Sequence, residues 1–401
     1  MSFFSKHLAL EGNIRVLAMQ LLVSQIGLGM VMVIWQPYIL SQGFSVVELG
    51  LVQSVSNLAS AAGLFTWGYL SDRYGRKPVV VAATGCRTLS VAALMLSGNL
   101  IFLYLFAFLS GFSALWFMAN PARSSLIAES VSDKRRATAY STLLAIGQTV
   151  NTVMSSAGGY AAVVLGYTPI FVVALVGDVI GIVFLIFGIK ETRKPDVKPP
   201  SSLGKKLRGI LVPEKELLPL YTVMALMGVS YGVGYSVFYG ILVKSFGYTT
   251  IQLGIISTVF SLSWGLFSIP GGKLSEKFGG NRIMMLSSLF SLITTAGLIL
   301  FQSFPALLIF SVTNALDPCL WAPNWPGFIS ERTTPAKRSQ IFGKLDAYGR
   351  FASIPAPWIG GVIYEFYGYT APLLVHFALT LVWATLLFRV IRKPAPAHIS
   401  L

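Results

Sequence analysis

Three ionisable side chains, Asp317, Asp346 and Arg350, stand well inside long apolar runs. A charge held in hydrocarbon is expensive unless it is paired or hydrated, so such groups mark sites of function by default. Asp317, flanked by Pro318 and partly shielded from water, is a carboxyl that could take up and release a proton. Asp346 precedes Arg350 by one helical turn on the same face, so those two can pair locally. Arg350 could also hold an anionic group of a solute or serve as its internal counter-ion. Together the three form a candidate charged cluster; the competing reading is an ion-pair network that fixes two helices. Arg87 and Asp178 also fall mid-run and read as a buried pair that confers rigidity.

A second knot of charge lies in GYLSDRYGRKPVV, Gly68 to Val80, where Asp72, Arg73, Arg76 and Lys77 sit between two apolar runs. Gly75 permits a tight reversal, and Pro78 suits the first turn of a helix, where its missing N–H is not needed. Gly68 would let a neighbouring helix approach closely. Glu129 and Asp133, in the next polar gap, are the expected partners of Arg76 and Lys77. The alternative is that the basic residues only set topology, which leaves Asp72 and the two glycines unexplained.

The elements that carry these groups follow from composition. The chain has 401 residues, 54% hydrophobic and 11% charged, too few charges to cover a soluble surface. Its apolar runs give twelve candidate membrane helices: 15–40, 48–70, 78–97, 100–121, 138–164, 168–188, 217–243, 252–272, 282–302, 304–328, 339–364 and 370–390. The class is therefore an all-α polytopic membrane protein. The net charge of +15 is spread through the gaps between runs, which argues against a nucleic-acid partner. Nearly all the Lys and Arg fall on one side of the bilayer, with Lys244 alone on the other, so both termini are expected in the cytoplasm.

The first apolar run, behind Lys6 and Arg15, is too long for a signal-peptide core and reads as an uncleaved helix. Lys190 to Glu216 is rich in Pro, Ser and charge and reads as a linker, with a short amphipathic segment at Leu203–Leu211. The expected division is a bundle at 1–189, a cytoplasmic linker at 190–216 and a second bundle at 217–401. Cys86 and Cys319 lie in apolar runs and imply no disulfide, and neither a metal site nor a cofactor is expected. No H-E-x-x-H pair and no Walker lysine motif is present, and no enzymatic activity is expected.

The chain also repeats itself. Gly158-Gly159 and Gly166-Tyr167 recur as Gly360-Gly361 and Gly368-Tyr369, Glu129 recurs as Glu331, and the opening knot is echoed in GKLSEKFGGNR, Gly272 to Arg282, at offsets of 202 to 204 residues. Parallel halves, related by an axis along the membrane normal, follow from an even number of helices per half.

Twelve spans in two halves, a basic central linker and G-x-L-S-D-R-x-G-R-K between the second and third spans resemble the major facilitator superfamily over essentially the whole chain. The resemblance implies a secondary transporter in the plasma membrane, a monomer in lipid, moving a small organic solute by alternating access with a proton as coupling ion. A uniporter, a drug or metabolite antiporter and a transport-silent receptor on the same fold are the alternatives. It further implies that spans one, four, seven and ten line the cavity, and the polar stripes there fit. These are Gln25, Gly29, Met32 and Gln36; Ser113, Trp116 and Asn120; Tyr231, Tyr235 and Tyr239; and Asn314, Asp317, Trp321 and Asn324. Trp264 and Trp325 add aromatic surface. Spans three, six, nine and twelve would be outer supports, with His376 a core residue. The family's acidic residue, here Asp72, would face the start of span eleven at Thr334-Pro335 as a gate latch. Drug antiporters of the family carry an Arg in span four where this chain has Ala107, and Gly-Pro in span five where it has Met154-Ser155.

Overall fold

The computed structural model describes residues 8–115, 120–132, 135–193 and 212–392. Sixteen α-helices run through them. They are α1 (Gly12–Ser41), α2 (Val46–Tyr74), α3 (Arg76–Met95), α4 (Leu100–Phe112), α5 (Pro121–Ser130), α6 (Arg136–Val164), α7 (Tyr167–Gly188) and α8 (Leu218–Tyr235). The rest are α9 (Phe238–Phe246), α10 (Thr250–Phe278), α11 (Gly280–Leu300), α12 (Phe304–Trp321), α13 (Asn324–Ser330), α14 (Pro335–Ala352), α15 (Ala356–Tyr367) and α16 (Thr370–Arg392). They trace twelve crossings, because four pairs, α4/α5, α8/α9, α12/α13 and α14/α15, are single spans interrupted near the middle.

Eight helical segments among the described residues are long and apolar enough to cross a bilayer by themselves. The crossings that fall short, α2, α4/α5, α6 and α14/α15, are either interrupted or rich in polar side chains. Helices whose outer face meets lipid show it plainly. Val172, Val176, Val179, Val183 and Phe187 of α7 are all exposed, an apolar stripe that water would not tolerate.

Local chemistry explains the breaks. In span four, Ala114 adopts a left-handed conformation with φ 49°, which ends α4. Asn120 then caps α5: its side-chain oxygen accepts from the N–H groups of Ala122 at 3.0 Å and Arg123 at 3.2 Å. Its amide donates back across the break to the Ser113 carbonyl at 3.0 Å. In span ten, Pro318 removes one ladder hydrogen bond and Pro323 stops the helix. The amide of Asn324 closes that break by donating to the Leu320 carbonyl at 2.7 Å.

The chain folds into two compact units. The first comprises Met1–Phe44, Val55–Lys206 and Thr249–Gly254; the second comprises Ser45–Ser54, Leu207–Tyr248 and Ile255–Leu401. In the first, α1 packs on α6 and α7, and α3 on α4 and α7. Its core joins Ile14, Leu17, Val79, Ala83, Leu126 and Leu143. A Cβ on Gly159 would collide with the carbonyl oxygen of Thr250, so only glycine allows this approach. In the second unit, α8 packs on α14, α15 and α16, and α11 on α12 and α16. Leu220, Tyr221, Met284, Phe328, Leu345 and Trp383 form the core there. Gly361 repeats the role of Gly159, with its Cβ position 2.7 Å from the Val46 carbonyl oxygen.

Candidate functional site

The polar stripe of α12 is anchored by Asp317, which meets α8, one of the spans expected beside it. Asp317 is 6% exposed and is turned toward α8 and α11. The Tyr231 hydroxyl donates to its Oδ2, and the hydroxyls of Ser287 and Ser291 bond to it as well. Tyr231 Oη also lies 3.1 Å from Ser291 Oγ. One turn further along α8, Tyr235 Oη is 3.1 Å from Thr295 Oγ1. Span nine, expected as a passive support, thus offers a row of buried hydroxyls (Ser287, Ser288, Ser291, Thr294 and Thr295) onto which this site is built.

Asp346 and Arg350 do not join Asp317. They bond to each other at 2.7 Å across one turn of α14, and both are more than a third exposed. The expected three-membered cluster is therefore two separate sites: a neutral-lined buried carboxyl and a solvated ion pair. Among the described residues, no Lys or Arg pairs with Asp317.

His376 belongs with Asp317 rather than with an inert core. It is fully buried, its Nδ1 lies 2.7 Å from Ser230 Oγ, and its ring packs edge-on against Tyr231 and Tyr235. Ser230 is the centre of GVSYG, Gly228 to Gly232, which matches the G-x-S-x-G pattern in letters. That pattern makes a nucleophile only at a strand-to-helix elbow. Here it lies within α8, and its glycines let Gly349 and Ala356 approach.

The other expected cavity residues part company. Asn120 is fully buried and committed to its cap. Trp321 stacks on Trp325 at 5.2 Å and meets Trp383 edge-on at 5.9 Å, inside the second unit's core. Asn314 and Gln25 are half-buried. Trp116 lies outside the described residues, as do Asp133 and Leu203–Leu211. Arg87 and Asp178 make the expected pair: Nη2 donates to Oδ1 at 2.6 Å and Nε to Oδ2 at 3.1 Å. Arg123 is 3% exposed and reaches Gln20 Oε1 at 3.3 Å.

The charged knot forms a network inside the first unit. Arg76 donates to Asp72 at 2.8 Å, to Ser71 Oγ at 2.6 Å and to Glu129 at 3.0 Å. Gly75, at φ 107°, caps α3, and a Cβ there would lie 2.5 Å from a carboxylate oxygen of Glu191. Glu191, expected only as linker, accepts from the backbone N–H groups of Arg76 at 2.9 Å and Lys77 at 3.0 Å. Burial alone would raise its pKa, but the N–H donors of Arg193, Arg76, Lys77 and Thr192 outweigh burial and hold it below the ordinary carboxylate value. The guanidinium of Arg193 donates to the Arg73 carbonyl at 2.5 Å, and Thr192 to Glu129 at 2.6 Å. Gly68 needs no special approach, because a Cβ there would meet Pro121 at an ordinary 3.7 Å.

At the corresponding place in the second unit the described contacts are neutral hydrogen bonds. Where the first has Arg76, the echo has Gly280, and the end of α10 is held by Asn324 donating to Ser275 Oγ at 2.8 Å. A separate buried pair, Lys344 to Glu214 at 2.7 Å with Tyr221 donating to the same carboxylate, ties α14 to the start of α8.

Twelve crossings, an internal repeat and a buried titratable site within helices define a polytopic transporter-like membrane protein. The Major Facilitator Superfamily profile matches residues 17–236 and 220–400, and the chain belongs to that superfamily. It is similar to "Multi-drug resistance efflux pump PmrA" of Streptococcus pneumoniae serotype 4 (strain ATCC BAA-334 / TIGR4), at 25% identity over 80% of this chain and 80% of that one. It is also similar to "Uncharacterized MFS-type transporter YqjV" of Bacillus subtilis (strain 168), at 22% identity over 84% of this chain and 83% of the relative. Among solved structures, the nucleoside transporter NupG superposes with a TM-score of 0.75 at 14% identity, over 95% of this chain and 99% of the other.

Proposed function

We propose that this protein is a proton-coupled secondary transporter that exports a small organic solute by alternating access, with Asp317 carrying the proton. The observation that carries the reading is Asp317 itself: a carboxyl 6% exposed, inside a span, held by hydroxyls alone. Such a group has no cation to fix its charge, so taking up or losing a proton changes the site more than any other single event there could. A charged Asp317 calls for solvent access, and a neutral one tolerates enclosure. That is the differential a proton needs to bias two conformations.

Export, rather than uptake, is drawn from relatives named as efflux pumps. The bodies that move would be 1–189 and 217–401, joined by 190–216, and the excess of Lys and Arg on one side supports cytoplasmic termini in the plasma membrane. Aromatic recognition of the solute would draw on the rings of Tyr231, Tyr235, Trp264, Trp321 and Trp325. The test is a thermal-stabilisation screen of organic cations and metabolites on purified protein, followed by flux of the stabilising compound in proteoliposomes with and without a pH gradient. Gradient-driven flux that disappears in Asp317→Asn is the expected result. Gradient-driven flux that persists unchanged in Asp317→Asn overturns the role of Asp317.

A further inference from the structure

We infer that Asp317 does not hold its proton alone: Tyr231 and Ser291 connect it to His376, and the two titratable groups share one proton through a hydroxyl chain. The inference rests on the reading of Asp317 as the proton carrier and extends it to a residue on the last crossing.

The chain is continuous. Tyr231 donates to Asp317, Tyr231 Oη and Ser291 Oγ are 3.1 Å apart, and Ser291 Oγ is 3.5 Å from His376 Nε2. Each hydroxyl has one hydrogen to give, so the direction of the chain is set by its ends. With Asp317 ionised, Tyr231 donates to the carboxylate and Ser291 gives its hydrogen to Tyr231 or to the carboxylate directly, and by either route Ser291 is left to accept from an Nε2–H. With Asp317 protonated the order reverses: the carboxyl donates to Tyr231, Tyr231 to Ser291, and Ser291 to a bare Nε2. The far side of the ring is fixed separately. Ser230 Oγ lies 3.1 Å from the His376 carbonyl and 2.7 Å from Nδ1, so if Ser230 spends its hydrogen on the carbonyl, Nδ1 is the donor to Ser230.

Transfer along this chain balances simply. The Asp317 O–H bond breaks as its proton passes to Tyr231 Oη, the Tyr231 proton passes to Ser291, and the Ser291 proton forms the Nε2–H bond. The products are an Asp317 carboxylate and a His376 imidazolium, with both hydroxyls restored. No oxidation or reduction is involved. The surroundings leave few competitors. On α16 itself Thr380 Oγ1 lies 3.4 Å from Nε2, α8 presents Tyr231 and Tyr235, and α11 presents Ser291 and Thr295. From α12 comes Asp317, and α15 meets α8 through Gly360 against the Val233 carbonyl. Tyr235 spends its hydroxyl on Thr295, which leaves Ser291, directly and through Tyr231, as the connection.

The chain contains only three histidines, and His7 and His398 lie in the terminal segments. Replacing those two by Gln leaves His376 as the sole source of imidazole signal in nitrogen-15 NMR of full-length protein in lipid. The expected result is a change of at least about twofold in the ratio of neutral to doubly protonated His376 ring when Asp317→Asn is introduced, and loss of that response in a Ser291→Ala background. Tyr231→Phe, which keeps the ring and removes the hydroxyl, should weaken the response without abolishing it, because Ser291 also bonds to Asp317 directly. Identical His376 spectra with Asp and Asn at 317 would overturn the inference. Infrared difference spectra between acid and neutral pH separate this from failure of the underlying reading. A protonated-carboxyl band lost in Asp317→Asn, together with silent His376 spectra, removes only the relay. No such band in the parent protein removes both.

Discussion

Arg87→Ala tests the internal logic of the first unit most severely. Asp178 is 0% exposed and accepts two hydrogen bonds from Arg87, at 2.6 and 3.1 Å, with Thr88 Oγ1 further off at 3.4 Å. Removing the guanidinium leaves a buried carboxylate with one weak donor, a change that typically costs about 3–5 kcal/mol. A partial offset comes from Arg123, which is close enough to repel Arg87 and attract Asp178. With Arg87 gone, that repulsion disappears and the attraction stays. The expected loss is therefore about 2–4 kcal/mol, which corresponds to roughly 5–15 °C in the melting temperature of a unit of this size. The assay is a thermal melt of the full chain in detergent, followed by tryptophan fluorescence. Arg87→Met combined with Asp178→Leu, which removes both charges and keeps volume, should recover at least about half of the loss. A single variant that melts within about 2 °C of the parent would refute the claim that this pair is buried and mutually dependent.

Glu191→Gln removes the charge at the start of α3 and should lower stability by about 0.5–2 kcal/mol at neutral pH. Because the folded state holds the Glu191 pKa below its unfolded value, its contribution is present at neutral pH and fades as pH falls through the acid range. Melts recorded against pH should therefore show parent and variant converging below about pH 4, whereas a constant gap would contradict the cap. Gly159→Ala forces a Cβ into the Thr250 carbonyl and should cost about 1–3 kcal/mol, while Gly68→Ala meets only Pro121 and should melt like the parent. Equal melts for those two variants would mean that the Gly159 approach is relaxed in solution. Asn120→Ala strips the cap of α5 and its tie to Ser113, with an expected loss of about 1 kcal/mol and easier proteolysis near the break; unchanged proteolysis would count against that role.

Apolar runs were enough to place the crossings, because the bilayer imposes length and the backbone must satisfy itself. They could not reveal the four interruptions, since hydropathy averages over a window that Ala114 or Pro323 occupies alone. The spacing of Asn314, Asp317 and Trp321 correctly marks one face of a helix. Periodicity alone does not say which neighbour that face meets. Asp317 turned out to face α8 and α11, and Trp321 to meet Trp325 and Trp383, so the Asp346–Arg350 pair was left on its own. His376 and the serines of α11 were legible only as polar residues in a supporting span, because a hydroxyl row useful for packing and one useful for holding a carboxyl look identical in sequence. Glu191 lay hidden in a charged linker. Its signal was its position one turn beyond α7, a distance from Arg76 that only the fold closes.

Asn120 and Asn324, 204 residues apart, each stitch the interruption in their own copy of the same crossing. At the same spacing, the counterpart of Asp317 is Ser113, buried and neutral, and the counterpart of Arg76 is Gly280. The joint is thus inherited by both copies, while the charges around it are not: Arg76 and its partners stand in one, Asp317 in the other. A chain built this way has kept the hinge of the crossing in duplicate while letting the chemistry beside it diverge.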